Sequence, residues 1–158
     1  MTAGETMVNL KTATSEEIAK IIPYLKVFSS LNEKIYRWTG GRLMGKLNGY
    51  DVMLVTMTGA KSGKKRVIPL MYVPYKDGVI IVASQGGAPN NPVWYNNLVA
   101  NPEVDVQYKS KKMQLRVRRA STEEKAEVWP VCCEYYPDYE IYQNRTERDI
   151  PVFIAEPR

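Results

Sequence analysis

Between Gly59 and Pro74 the chain reads GAKSGKKRVIPLMYVP, with Lys61, Lys64, Lys65 and Arg66 inside six positions and an apolar run directly after them. Gly59 and Gly63 permit a tight loop in which backbone N–H groups converge, and Ser62 adds a hydroxyl, so the stretch has the composition of an anion site. A desolvated charge-assisted bond to phosphate or carboxylate contributes about 1.5–3 kcal/mol, enough for a few of them to hold a small anionic ligand. This is not a Walker loop: the GxxxxGK[ST] spacing fails, and a strand pattern rather than a helix follows. A solvated, lysine-rich hairpin turn is the other reading of the same residues.

Two further groups carry chemistry. ASQGGAPNNPVWYNNL leaves a strand at Ser84 and reaches a helix start at Asn91. A helix N-terminus after a Gly-Gly loop can face an anion or the edge of a heterocycle, with Trp94 either packing on that ring or buried in the core. Downstream, Tyr135, Tyr136, Tyr139 and Tyr142 surround Pro137. Tyr135, Tyr139 and Tyr142 share helical spacing, which suits a packing face or a pocket wall that offers hydroxyl tips to a carbonyl or nitro group. The sequence has no histidine, which removes the commonest general base and zinc ligand together. Cys132 and Cys133 are adjacent, without C-x-x-C spacing, and read as buried packing residues rather than metal ligands or a disulfide.

These groups must be held by a single domain of ordinary soluble composition, 44% hydrophobic and 25% charged over 158 residues. The net charge of +5 favours an acidic partner: nucleic acid, an anionic membrane surface or a phosphorylated small molecule. The opening MTAGETMVNLKTATSEE lacks a basic start and an apolar centre, so a cytoplasmic protein is expected, with residues 1–13 a mobile tail and 14–158 the domain.

Thr14 and Glu17 form a capping box, followed by Ile18, Ile21, Ile22, Leu25 and Phe28 at helical spacing; Pro23 is expected to kink or divide that helix. Then the period falls to two. VMLVTMT, RVIPLMYV and VIIVAS read as consecutive antiparallel strands, with Pro69 requiring an edge or a bulge in the second. Asn91 as N-cap and Pro92 at the first position open a short helix that ends before Pro102. EVDVQY and MQLRVRRA form a hairpin with one wet face, Ser121 and Glu124 cap a helix containing Pro130, PDYEIYQNRTERDIP continues as helix, and PVFIAE is a last strand. The expected fold is α+β: a split β-barrel of about six mainly antiparallel strands with surrounding helices.

In this order the motifs resemble the deazaflavin-dependent nitroreductases, also described as coenzyme F-420-dependent quinone reductases. The resemblance runs from about Leu31 to Pro157 and is strongest in TGAKSGKKRVIPL, VASQGGAPNNPVWYNNLVANPEV, EVWP and YPDYEIYQNRTERDIP. It implies a split barrel that binds 8-hydroxy-5-deazaflavin, coenzyme F-420, whose phosphate and oligoglutamate tail is acidic. By that resemblance Lys61, Ser62 and Arg66 hold the phospholactyl and glutamate portion. Thr56, Met57 and Pro69, with Val82, Ala83, Ser84 and Gln85, lie beside the deazaflavin ring. Val93, Trp94 and Asn97 close the groove, and Tyr136, Tyr139 and Tyr142 line the substrate side. Ala60 and Gln85 replace basic residues found in relatives, with Lys64 and Lys65 as compensating cations, and Met71 stands where some relatives have tyrosine.

The implied reaction is hydride transfer to a quinone, enone or nitro acceptor. Ser84 and Tyr139 are expected as hydrogen-bond donors to the acceptor oxygen, Tyr136 and Tyr142 as pocket-shaping residues, and solvent as the final proton source. An FMN-binding split-barrel oxidoreductase and a non-catalytic basic binding module are the alternatives. Nucleic acid is not the expected partner, because the lysines cluster in two turns and the tyrosines sit on a helix away from the sheet. The N-terminal amphipathic helix is expected to dock on the core, with dimerisation or peripheral membrane contact as the alternatives, and the expected assembly is a monomer or homodimer.

Overall fold

The computed structural model describes residues 12–43, 45–47 and 49–158; the side chains of 21–32 lie outside that description. The expected tail falls mostly before it, although Ala13 is already packed with Ile18 and Ala88.

Eight antiparallel strands form one curled sheet: β1 (Lys46–Leu47), β2 (Tyr50–Thr58), β3 (Lys65–Met71), β4 (Pro74–Tyr75), β5 (Gly78–Val82), β6 (Glu103–Tyr108), β7 (Lys111–Arg119) and β8 (Val152–Pro157). The six strands expected from the sequence are all present, and β1 and β4 are two-residue additions. The hydrogen-bonded order is β1-β2-β6-β7-β8-β5-β4, with β3 on the other side of β2. β3 pairs with β2 alone, so Pro69, opposite Leu54, has its missing N–H on an edge, as its chemistry requires.

The three consecutive strands are present and antiparallel, but the second is divided: β3 pairs with β2, and β4 with β5. β5 also pairs with β8, and the 65–75 segment bends between the two sides of the sheet. The handover occurs at adjacent residues: the Tyr72 N–H donates to the Asp51 carbonyl at 2.9 Å, and the Val73 carbonyl accepts from the Ile80 N–H at 2.9 Å. That bend curls the sheet around a core built from Met53, Val55 and Met57 of β2, Val104 and Val106 of β6, Leu115 and Val117 of β7, and Phe153 and Ala155 of β8. β5 is buried on both faces. Val79 and Ile81 point into the barrel, while Ile80 and Val82 pack beneath the later helices. β7 alternates wet and dry as its sequence requires.

Helix α1 (Ser15–Thr39) starts at the Thr14–Glu17 capping box, continues unbroken through Pro23, and ends at Gly40 with φ 60. The Ser15 hydroxyl donates to the Gly87 carbonyl at one end. At the other, the Tyr36 hydroxyl donates to the Val52 carbonyl at 2.9 Å and accepts from the Lys109 N–H at 2.7 Å. No helix among the described residues is long and apolar enough to cross a membrane. The alternative of peripheral membrane contact falls largely on residues 1–11 and on side chains 21–32, outside the described residues.

Helix α2 (Tyr95–Ala100) starts later than expected. Asn91 is not its N-cap, because the Asn91 side chain is taken by an arginine far along the chain. Helix α3 (Thr122–Tyr135) has the expected Ser121–Glu124 capping box and contains Pro130. Helix α4 (Asp138–Arg145) is shorter than the helical stretch expected, and residues 146–151 are a connection that bends at Glu147 and Arg148.

Candidate active site at one end of the barrel

Four successive antiparallel pairings, β2–β6, β6–β7, β7–β8 and β8–β5, leave β2 and β5 running in the same direction. The loops after Thr58 and after Val82 therefore leave the same end of the barrel. The basic loop and the Ser84 stretch thus share one end of the barrel although three strands separate their parents.

The basic loop is a six-residue hairpin connection beyond the Thr58–Lys65 pair. The Gly59 N–H donates to the Lys64 carbonyl at 2.8 Å and the Gly63 N–H to the Gly59 carbonyl at 3.0 Å. The Lys64 N–H is held by the Ser62 hydroxyl at 3.2 Å, and the Ala60 N–H by Asn97 Oδ1 of α2 at 2.9 Å. Gly63, at φ 66, supplies the left-handed position. The expected convergence of loop amides is thus mostly used internally, leaving those of Lys61 and Ser62 without a partner among the described residues. The cations are better placed. Lys61, Lys64 and Arg66 are exposed and have no ion pair among the described residues, whereas Arg37, Arg116, Arg118 and Arg158 all have carboxylate partners. Lys65 turns away: its ammonium donates to the Thr58 hydroxyl at 3.4 Å, and it lines a mixed-charge cleft of about 330 Å³ with Glu103, Asp105, Arg116 and Arg158.

Helix α2 forms the loop's neighbour. Asn97 makes the tether, Trp94 is half-buried against the barrel core, and Val93 is 71% exposed. Of the strand residues expected beside a ring, Met57, Val82 and Ala83 are buried in the barrel wall, and the Ala83 N–H and carbonyl are taken by Pro151 and Arg148. The Thr56 hydroxyl accepts from Arg37 Nη2 at 3.1 Å, and Pro69 is half-buried.

Ser84 ends the exit from β5 and opens a 3-10 turn at Gln85–Gly87, where Gln85, Gly86 and Gly87 have φ of 45, 63 and 77. The glycines serve protein packing more than ligand approach. A Cβ on Gly86 would meet Ile18 at 3.0 Å, and one on Gly87 would meet the Tyr142 carbonyl at 2.6 Å. The turn is therefore pressed onto α4. Arg145 Nη1 reaches the Gly86 carbonyl at 2.6 Å, and Arg148 reaches the carbonyls of Ala83, Ser84 and Ala88.

Tyr136, Tyr139 and Tyr142 do come together, with ring centroids 4.9–6.4 Å apart and mostly edge-on, while Tyr50 closes on Tyr136 at 5.1 Å. Tyr135, expected on the same face, is 44% exposed and takes no part. The three rings pack on one another at 4%, 4% and 8% exposure, so their faces are not open to a ligand. The Tyr136 and Tyr142 hydroxyls are bonded to each other at 2.9 Å. The hydroxyls of Ser84 and Tyr139 have no hydrogen-bond partner among the described residues. No described buried side-chain polar atom is left unsatisfied, so both open to accessible space. Burial, first among the causes, pushes the Tyr136, Tyr139 and Tyr142 phenols well up, holding them neutral as donors and poor as proton-releasing acids.

Comparison with known proteins decides among the cofactor chemistries this end of the barrel could serve. The family described as F420H(2)-dependent quinone reductase matches residues 29–157. The chain belongs to that family. An F420H(2)-dependent quinone reductase of Mycobacterium tuberculosis is 36% identical over 132 residues, spanning 81% of this chain and 89% of the relative. The solved structure of an F420-H2 dependent reductase, FDR-A, aligns with TM-score 0.62 and 48% identity over 66% of this chain and 93% of its own. A second chain, solved as a domain-swapped dimer, aligns with TM-score 0.63 and 41% identity over 80% and 96%.

Within an F420H(2)-dependent quinone reductase, neither the FMN alternative nor the non-catalytic basic module is needed. Arg145 and Arg148 are the residues that sequence reasoning missed. Their R-x-x-R spacing lies inside a motif used for the resemblance, yet nothing local says that both reach back some sixty positions to the Ser84 turn.

Proposed function

We propose that this chain reduces quinones at the expense of reduced coenzyme F-420, and that enones and nitro-heterocycles are further acceptors of the same site. What supports the reading is that a loop with unpaired cations and the Ser84 turn leave the same end of the barrel, and that the Ser84 and Tyr139 hydroxyls have no partner among the described residues. The loop suits a polyanionic cofactor: Lys61, Lys64 and Arg66 lack internal partners, and the amides of Lys61 and Ser62 are free to donate. These residues would hold the phosphate and glutamate portion. Asn97 keeps the loop in place from α2, and Trp94 and Val93 flank it. Met57, Val82 and Ala83 would back the site from within the barrel wall, with Thr56, Pro69 and Gln85 at the border.

When bound, the reduced deazaflavin supplies a hydride. The chain's own work is to orient the acceptor and to stabilise the negative charge that grows on its oxygen. Ser84 and Tyr139 are the donors to that oxygen, because theirs are the hydroxyls not already engaged. Tyr136 and Tyr142, locked together, shape the wall behind them. The raised phenol pKa values make water the final proton donor. The test is optical: oxidation of reduced coenzyme F-420 by the purified chain with menadione, alongside a binding titration. Absence of both turnover and binding at modest ionic strength would refute the reading.

A further inference from the structure

Arg148 lies at a bend between α4 and β8, and its guanidinium is spent entirely on the Ser84 loop. Nε donates to the Ala88 carbonyl at 2.8 Å. Nη1 donates to the Ala83 carbonyl at 3.2 Å and to Asn91 Oδ1 at 2.9 Å. Nη2 donates to the Ser84 carbonyl at 2.6 Å. No carboxylate pairs with it among the described residues. Three backbone carbonyls and the Asn91 amide oxygen solvate the charge, and burial lowers the guanidinium pKa while the group stays charged. The loop it holds is strained, since Gln85 sits at φ 45 without a glycine's freedom, and such a conformation persists only where surrounding contacts over-determine it.

We propose that Arg148 is a positioning residue for the acceptor site: its guanidinium fixes the backbone that presents the Ser84 hydroxyl and sets a carboxylate-free positive charge behind it. A side chain needed only to close a loop would be equally well served with an acidic partner, as Arg118 is by Glu124 at 2.8 Å. Leaving the cation uncompensated keeps its field directed at the place where acceptor charge develops, without reorganisation during the reaction. The inference rests on the reading of Ser84 as a donor to the acceptor oxygen.

Two kinds of variant separate position from charge. Arg148→Lys removes the planar fork that grips three carbonyls and keeps the charge. Asn91→Asp keeps the acceptor oxygen on the guanidinium and adds a compensating carboxylate at an exposed site that needs no repacking. Each is made alone and combined with Ser84→Ala, and kcat and KM for menadione are measured together with the dissociation constant for oxidised coenzyme F-420 and the thermal midpoint. Arg148→Lys is expected to lower kcat about tenfold and Asn91→Asp about threefold, with coenzyme affinity changed less than twofold. In the Ser84→Ala background both effects should shrink below about twofold, because the group they act through is gone. Full additivity with Ser84→Ala, or an Asn91→Asp enzyme with unchanged kcat, would overturn the proposal; Asn91→Asp decides it even if Arg148→Lys does not fold. A Ser84→Ala enzyme of wild-type kcat would instead overturn the reading of Ser84 beneath it.

Discussion

Three chemically identical substitutions should give two different results. Tyr136→Phe or Tyr142→Phe deletes one member of the 2.9 Å hydroxyl pair and strands the other in a buried position. An unsatisfied buried hydroxyl costs about 1–3 kcal/mol. In a chain of this size a kilocalorie shifts the melting midpoint by roughly 2–4 °C, so each variant should melt about 2–12 °C lower. The double variant, with neither hydroxyl present, should recover most of that loss, since removing both partners leaves nothing unpaired. Tyr139→Phe removes a hydroxyl with no protein partner and should leave the midpoint within about 1 °C. Its effect should fall on turnover, where a bond to a charged oxygen contributes about 1.5–3 kcal/mol, or roughly 10- to 150-fold in kcat. The assays are differential scanning fluorimetry and steady-state oxidation of reduced coenzyme F-420 by menadione. A Tyr139→Phe enzyme with wild-type kcat, or a Tyr136→Phe protein as stable as the parent, would refute the division of labour.

Other outcomes follow from the same contacts. Lys64→Ala should weaken long-tailed coenzyme about two- to fivefold and short-tailed coenzyme less, as read by fluorescence titration; equal affinity for both tails would show that Lys64 does not replace the missing basic residues. Gly87→Ala places a Cβ 2.6 Å from the Tyr142 carbonyl at a φ of +77 and should cost about 2–5 kcal/mol in urea unfolding. Burial pushes the Cys132 thiol up to about 12, from an ordinary 9.0. The folded state therefore keeps a proton that the unfolded state gives up, and this contribution to stability is intact below about pH 9 and lost as pH rises toward 12. Chemical unfolding across that range should show falling stability, and a Cys132→Ala variant should show a shallower decline.

What the sequence revealed was local. The capping boxes at Thr14–Glu17 and Ser121–Glu124, the alternation in β6 and β7, and the edge position demanded by Pro69 are each decided within a few residues, and each is found in place. The cationic loop was legible for the same reason, since its charges and glycines are contiguous. Long-range effects were not. The Tyr72–Val73 handover that sends β5 to β8 depends on the curl of the whole sheet, and no pattern in RVIPLMYV marks it. Asn91 has the chemistry of an N-cap, but Arg148 claims it across 57 positions and the helix starts later. The uncommitted state of Ser84 and Tyr139, against the mutual pairing of Tyr136 and Tyr142, is likewise a matter of placement that composition does not record.

β8 lies between β7 and β5, yet in the chain it follows every strand it joins. A nascent polypeptide that has released only the segments up to α4 has two half-sheets with unsatisfied rims and a hydrophobic seam facing water. Closure is postponed until synthesis of the domain is nearly finished, and the last strand, tethered to α4, completes the sheet in a single step.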